Sequence, residues 1–68
     1  MKILKTQESK KIGSFTVTPN KASTDIVWFN MSNRGGTAKY NLATGQFEPC
    51  RNEVGARFKD AIEAAYIS

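Results

Sequence analysis

The segment Asp25–Ser32 is the most apolar and most β-prone part of the sequence, and it contains the single Trp, Trp28. Turn-forming residues flank it on both sides, at residues 19–24 and again at residues 33–36. Asn and Gly in the second of these turns tolerate the positive φ values that tight turns need. Together these features predict that residues 25–32 form the central strand of a small sheet.

Side chains alternate between the two faces of a strand, so this segment has two distinct faces. One face is uniformly apolar, with Val27, Phe29 and Met31, and is predicted to face the core. The other face is mixed and carries Ile26 and Trp28 among polar residues. A mixed face predicts a sheet surface that is partly open to water.

Other segments have the composition of strands, separated by turns. The predicted strands are residues 1–8, 12–18, 25–32, 37–42 and 46–48. Ser9, Lys10 and Lys11 are interpreted as a turn, and Pro19 is predicted to end the second strand because proline cannot donate to a ladder. Gly45 is expected at the left-handed position of the last hairpin.

A helix is predicted over residues 52–67. Asn52 is a good N-cap, and Glu53 suits the positive end of the helix dipole. Apolar residues then recur at helical spacing, at Val54, Phe58, Ala61, Ile62 and Ala65. The sequence therefore predicts a single α+β domain over residues 1–68. It is an antiparallel meander of four or five short strands with one C-terminal helix packed on one face.

The residue inventory argues against several chemistries. Cys50 is the only Cys, and the chain has no His, so neither an internal disulfide nor a tetrahedral zinc site is expected. Without His there is no Ser-His or Cys-His arrangement, and the carboxylates form no recognisable acid–base pair. The sequence thus predicts a non-enzymatic protein without catalytic residues, metal or cofactor.

No apolar run is long enough to span a bilayer, and Lys2 and Lys5 interrupt the apolar start of the chain at once. A lone free Cys is typical of a reducing compartment. These features predict a protein of the cytoplasm that does not contact membranes.

Positive charge is concentrated in the first part of the chain. Residues 1–39 contain seven of the ten Lys and Arg residues and only two acidic residues, a net charge of +5, whereas residues 40–68 have a net charge of −1. A one-sided basic balance suggests a polyanionic partner such as nucleic acid. Surface lysines that only keep a small protein soluble would give the same balance.

Trp28 is the strongest candidate for a site residue, because its ring could stack on an unpaired base. Lys39 and Asn41, on the outward face of the next strand, would contact phosphate or base edges, and Arg34 in the intervening turn would stack or pair with phosphate. The structural alternative is that Trp28 caps the core, or is covered by residues 1–8 or a second subunit.

Lys10, Lys11 and Lys21 are predicted to lie in loops and to continue a phosphate track, if those loops share one end of the sheet. Whether they do depends on residues 1–8 being a strand. The alternative is that all three are ordinary solvated turn lysines.

Small residues on the helix, at Gly55, Ala61, Ala64 and Ala65, would let a second helix approach in a homodimer or let the helix pack tightly on its own sheet. The order of a sheet meander followed by a helix resembles small single-stranded-DNA-binding modules related to transcription coactivators. In those modules two helices make the dimer and the sheets grip the strand. The resemblance covers the order of elements alone.

Two functions follow as expectations. The first is a small basic nucleic-acid-binding protein that contacts single-stranded DNA or RNA through its open sheet face and basic loops. The second is a protein-interaction module, such as a virus-encoded regulator or inhibitor of a larger host machine, because Trp28, Ile26 and a nearby guanidinium also describe a protein hot spot.

Overall fold

An antiparallel sheet with a helix across one face makes up the fold. The computed structural model describes residues 1–32, 36–49 and 58–68. In these ranges the elements are β1 (Lys10–Ile12), β2 (Phe15–Lys21), β3 (Ile26–Met31), β4 (Gly36–Asn41), β5 (Phe47–Pro49) and α1 (Lys59–Tyr66). The strands lie side by side in chain order, and each pairs antiparallel with the next. The predicted α+β meander with a C-terminal helix is confirmed.

The core lies between the sheet and α1, on the apolar side of the strand alternation. Its buried members are Val17, Val27, Phe29, Met31, Ala38, Tyr40, Leu42, Ile62 and Tyr66. Aromatic rings meet at its centre, where the Phe29 centroid lies 5.3 Å from that of Tyr66 and 6.4 Å from that of Tyr40. Edge-on and tilted ring pairs of this kind are favourable. They join the middle of the sheet to the last turn of the helix.

The N-terminal segment does not form the strand predicted for residues 1–8. Within it Leu4 makes an isolated bridge with Ile67. Ile3 and Ser68 exchange two backbone hydrogen bonds, of 3.1 and 2.8 Å. The segment therefore pairs mainly with the end of the chain, and it touches the sheet where the backbone N–H of Lys2 donates to the carbonyl of Leu42 at 2.8 Å, just after β4.

The first strand of the sheet is instead β1, which contains two of the three residues predicted as a turn. Gly13 has a φ of 61°, in the left-handed region that glycine adopts at little cost. The chain reverses there within two residues, so that Ile12 pairs with Phe15. One predicted strand, residues 12–18, is thus divided between two strands of a tight hairpin.

Pro19 lies inside β2, so the prediction that it ends the strand is wrong. The backbone N–H of Ser32 donates to the carbonyl of Thr16 at 3.1 Å, which makes their pair a hydrogen-bonded one. Hydrogen-bonded and non-hydrogen-bonded pairs alternate in antiparallel ladders, so the Pro19–Phe29 pair is of the second kind. The nitrogen of Pro19, which carries no hydrogen, faces away from β3 toward the side of β1. Because β1 pairs with β2 only as far as Val17, Pro19 has no partner on that side and no ladder bond is lost.

Strands β3, β4 and β5 agree with their predicted bounds to within one residue at each end. The helix α1 begins after Phe58, which provides no side-chain cap. The predicted earlier start of the helix, with Asn52 and Glu53, lies outside the described residues. Its end falls one residue before the predicted one, because Ile67 is extended and pairs with Leu4.

Candidate functional site

The side chains that alternate with the core residues of β2, β3 and β4 form a second surface, termed here the open face. Its members are Thr16, Thr18, Asn20, Ile26, Trp28, Asn30, Thr37, Lys39 and Asn41. The core cluster places α1 on the opposite side of the sheet. None of the elements described in residues 1–32, 36–49 and 58–68 forms a layer over the open face.

Trp28 lies near the middle of the open face, on the central strand β3, and is half-buried. Asn20 of β2 is directly opposite on one side, and Lys39 of β4 is directly opposite on the other. Neighbouring strands are about 4.8 Å apart. Trp28 is therefore flanked on the open face by the side chains of Asn20 and Lys39. A ring platform beside an amide and a lysine can stack an apolar ring and supply polar contacts to it.

Among the residues that the structure describes, Lys39 has one acidic neighbour, Glu48 of β5, with 4.0 Å between the ammonium nitrogen and the nearer carboxylate oxygen. The two side chains are 37% and 52% exposed. An exposed pair at this separation contributes about 0–1 kcal/mol. Lys39 thus remains able to pair with an anionic group on the open face.

Asn41 lies on the open face, as predicted, but its side-chain oxygen already has partners. The oxygen accepts from the backbone N–H groups of Ala43 and Thr44, at 2.9 and 3.2 Å. This is the local turn that asparagine commonly stabilises, so Asn41 holds the β4–β5 connection. Arg34, the fourth member of the predicted group, lies outside the described residues.

The three lysines predicted to share basic loops at one end of the sheet do not do so. Lys10 and Lys11 belong to β1, and Lys21 is the last residue of β2. Lys11 is opposite Thr16, five residues from Lys21 along β2, which corresponds to about 17 Å. No single phosphate track joins the three. The tight turn at Gly13 is the cause, because it brings β1 beside the start of β2.

Lys10 is directed toward the helix side of the sheet. Its ammonium group donates to the carbonyl of Ala65 at 3.1 Å and lies 5.4 Å from the centre of the Tyr66 ring. Lys5 donates to the neighbouring carbonyl of Ala64 at 3.0 Å. Both cations therefore satisfy the C-terminal carbonyls of α1. This geometry favours a structural role for Lys10, whereas Lys11 is exposed beside the open face.

Asn20 is a site candidate that the sequence reading missed. Because Pro19 is predicted to end the strand, the sequence places Asn20 in the turn that follows. The signal that could have placed it is the alternation itself, which continues from Thr16 and Thr18 through Asn20 while Val17 and Pro19 are buried.

A second polar cluster lies on the helix side of the sheet. The Tyr40 hydroxyl donates to Glu63 Oε2 at 2.7 Å. Burial, reinforced by this hydrogen bond, raises the pKa of Tyr40 to about 12. The same bond lowers the pKa of Glu63, with the charge of Lys59 acting in the same direction. The pair ties α1 to β4.

Neither cluster has the make-up of a metal site: the described part of the chain contains no group of three or more acidic, Cys or His side chains arranged to hold an ion. Within the same ranges, no helix has the length and apolar character needed to cross a membrane. Comparisons of the chain with protein-family models, with curated proteins and with solved structures find no match.

Proposed function

We propose that this protein binds single-stranded nucleic acid on the open face, with one base stacked on Trp28. The observation that carries the proposal is the row Asn20, Trp28, Lys39 across β2, β3 and β4. A half-buried indole between an amide and an ammonium group offers a stacking surface, a base-edge contact and a phosphate contact within one row.

The form of the surface favours unpaired strands. A duplex keeps its bases stacked on one another, so a sheet face could reach only their edges or the backbone. Bases of a single strand can be splayed out onto an aromatic side chain of a sheet. Stacking of this kind contributes about 1–3 kcal/mol per base and tolerates any base.

The charge of the chain supports the same partner. The net charge is +4, and the open face and its margin carry Lys39 and Lys11 against the single described acid Glu48. Hydroxyl and amide groups of Thr and Asn make up most of the remaining face, and these groups contact sugars, bases and phosphates alike.

The test is a titration of Trp28 fluorescence with a short single-stranded oligonucleotide at low and at moderate salt. The protein contains a single Trp, so the signal reports on this position alone. Quenching that weakens as salt rises is expected, because phosphate contacts release counterions.

Two variants with the same change of charge distinguish binding at the open face from attraction by net charge. Lys39→Ala removes a cation from the row beside Trp28, and Lys59→Ala removes one from α1, where it pairs with Glu63 at 3.5 Å. We expect Lys39→Ala to weaken binding several-fold and Lys59→Ala to leave it unchanged. Equal losses in both would show that net charge, not the open face, attracts the oligonucleotide.

A second candidate function is a protein-interaction module that uses the same face. The observation that favours it is the apolar pair Ile26 and Trp28, both half-buried on one side of β3. Aromatic residues of this kind dominate protein hot spots. A stoichiometric protein retained from nuclease-treated lysate by the wild type but not by Trp28→Ala would favour this function, together with unchanged Trp28 fluorescence in the oligonucleotide titration.

The proposed homodimer through the helix also stays a prediction. In the described helix, Ala61 and Ala64 are exposed, whereas Ala65 packs against the core. Sedimentation at increasing protein concentration tests it, since a dimer should dissociate on dilution.

A further inference from the structure

Asn20 differs from the two other asparagines of the open face in the state of its amide. The side-chain oxygen of Asn41 accepts two backbone hydrogen bonds, and that of Asn30 accepts from the Thr37 hydroxyl at 3.3 Å. Asn20 is exposed, and within the described residues its amide makes no hydrogen bond. Of these three amides, it is the one with both donor and acceptor available to a ligand.

The position of Asn20 is fixed by the sheet. Counting from the hydrogen-bonded pair of Thr16 and Ser32, the Asn20–Trp28 pair is also hydrogen-bonded. In such a pair the Cα atoms are about 5.5 Å apart. The Asn20 side chain therefore projects from the same face as Trp28, on the directly opposite position of a regular strand.

We infer that Asn20 reads the edge of the base stacked on Trp28, and that the open face consequently prefers adenine. The inference rests on the proposed function and adds a base preference to it. An asparagine amide presents one donor and one acceptor side by side, and adenine offers the matching pair through its 6-amino group and N7. This N7 edge carries the preference, because pyrimidines lack it and guanine presents two acceptors there, whereas the Watson–Crick edge of every base offers a donor beside an acceptor.

The size of adenine favours it further, since a purine covers more of the indole than a pyrimidine does. Lys39, on the other side of the indole, donates only and cannot recognise the amino group. It is assigned to the phosphate. In this arrangement base preference comes from the Asn20 side of the row and salt dependence from the Lys39 side.

The experiment measures fluorescence anisotropy of 5′-labelled eight-nucleotide oligomers of deoxyadenosine, deoxycytidine and thymidine, at one fixed salt concentration. The wild type is expected to bind the adenine oligomer about five- to tenfold more tightly than the other two. This factor lies in the lower part of the range for a bidentate contact, because the site is open to water. Asn20→Ala is expected to reduce this preference to less than twofold, because the adenine oligomer loses more affinity than the other two.

Asn30→Ala is the matched control, because it removes the same side chain two residues from Trp28 along β3. It should keep the adenine preference. Circular dichroism verifies that both variants fold, which is expected since both side chains are exposed.

The outcomes separate this inference from the proposed function. Equal affinity of the wild type for the three oligomers, an adenine preference that survives Asn20→Ala, or one that Asn30→Ala alone removes would overturn the role of Asn20 and leave binding by the open face standing. Failure of the wild type to bind any of the oligomers would overturn the proposed function and this inference with it.

Discussion

Trp28 and Phe29 are neighbours in β3 whose side chains lie on opposite faces of the sheet. Phe29 is fully buried against Tyr66, whereas Trp28 is half-buried on the open face. We expect Phe29→Ala to lower the free energy of unfolding by about 3–5 kcal/mol, because it leaves a cavity in the core. Trp28→Ala should cost only about 1–2 kcal/mol of stability, yet lower oligonucleotide affinity about tenfold or more.

Urea denaturation of both variants and anisotropy titration of Trp28→Ala measure these effects. The comparison decides between the two roles that the sequence leaves open for the indole. A loss of stability in Trp28→Ala as large as that in Phe29→Ala, with binding unaffected, would make Trp28 a structural residue.

The Tyr40–Glu63 hydrogen bond predicts a pH dependence of stability. Glu63 has a lower pKa in the folded protein than its ordinary value of 4.5, chiefly because the Tyr40 hydroxyl donates to it. A carboxylate of this kind stabilises the fold fully above its unfolded pKa, and the contribution is lost as pH falls through the lower folded pKa. We expect Tyr40→Phe to cost about 1–2 kcal/mol at pH 7 and less below pH 4.

Urea denaturation between pH 7 and pH 3 measures this difference. Tyr66→Phe is the control, because the Tyr66 hydroxyl lies 2.8 Å from the carbonyl of Glu8 and 3.0 Å from that of Val17, with no carboxylate as its acceptor. Its cost should stay constant across this range. A cost of Tyr40→Phe that is equally constant would contradict the assignment of the acid-sensitive interaction to this pair.

At the scale of elements, α1 depends on the N-terminal segment for its cations. The last turn of the helix contains no basic residue, and Lys5 and Lys10 donate to its free carbonyls from outside. We expect Lys10→Met, which keeps most of the aliphatic stem, to lower the free energy of unfolding by about 0.5–1.5 kcal/mol. The cost should decrease at high salt, since screening weakens charge–dipole interactions.

Lys11→Met is the matched control for this change, because the adjacent Lys11 is exposed and lies opposite Thr16 on the outer side. It should alter stability by less than about 0.5 kcal/mol. Thermal or urea denaturation of the two variants compares them directly. Equal effects would show that the contact of Lys10 with Ala65 does not stabilise the helix.

Strand β2 illustrates how far the sequence determines the elements. The alternation of Phe15 and Val17 with threonines predicts the strand and its buried face correctly, because the side-chain period is a local property. The rule that proline ends a strand fails at Pro19, since its consequence depends on which side of the strand has a partner. Whether Pro19 has a partner on the side of β1 depends on how far β1 extends, and the residues around Pro19 do not determine that.

At the scale of the whole molecule, the separation into two faces was predictable and the distribution of lysines was not. Alternation places Trp28, Lys39 and Asn41 on one surface, as the structure has them. Lys10 and Lys11 are adjacent in sequence, but β1 directs one toward the helix and the other outward. The net charge of the chain includes both equally, although only Lys11 lies on the side of the open face.

This distribution predicts a shallow salt dependence despite the net charge of +4. For single strands, the slope of log affinity against log salt is about −0.7 for each phosphate neutralised. Of the described lysines, Lys11 and Lys39 lie on the side of the open face, and together they account for a slope of about −1.4. Lys5 and Lys10 are engaged at the end of α1 and should not contribute.

Affinities measured by anisotropy between 50 and 300 mM salt give this slope, and substitutions of single lysines show which of them contribute to it. Lys39→Ala should make the slope shallower by about 0.7, as should Lys11→Ala, whereas Lys59→Ala on the helix should leave it unchanged. A wild-type slope of −3 or steeper that neither Lys39→Ala nor Lys11→Ala changes would mean that cations away from the open face hold the strand. The oligonucleotide would then follow the basic parts of the chain, and the stacking row around Trp28 would not be its site.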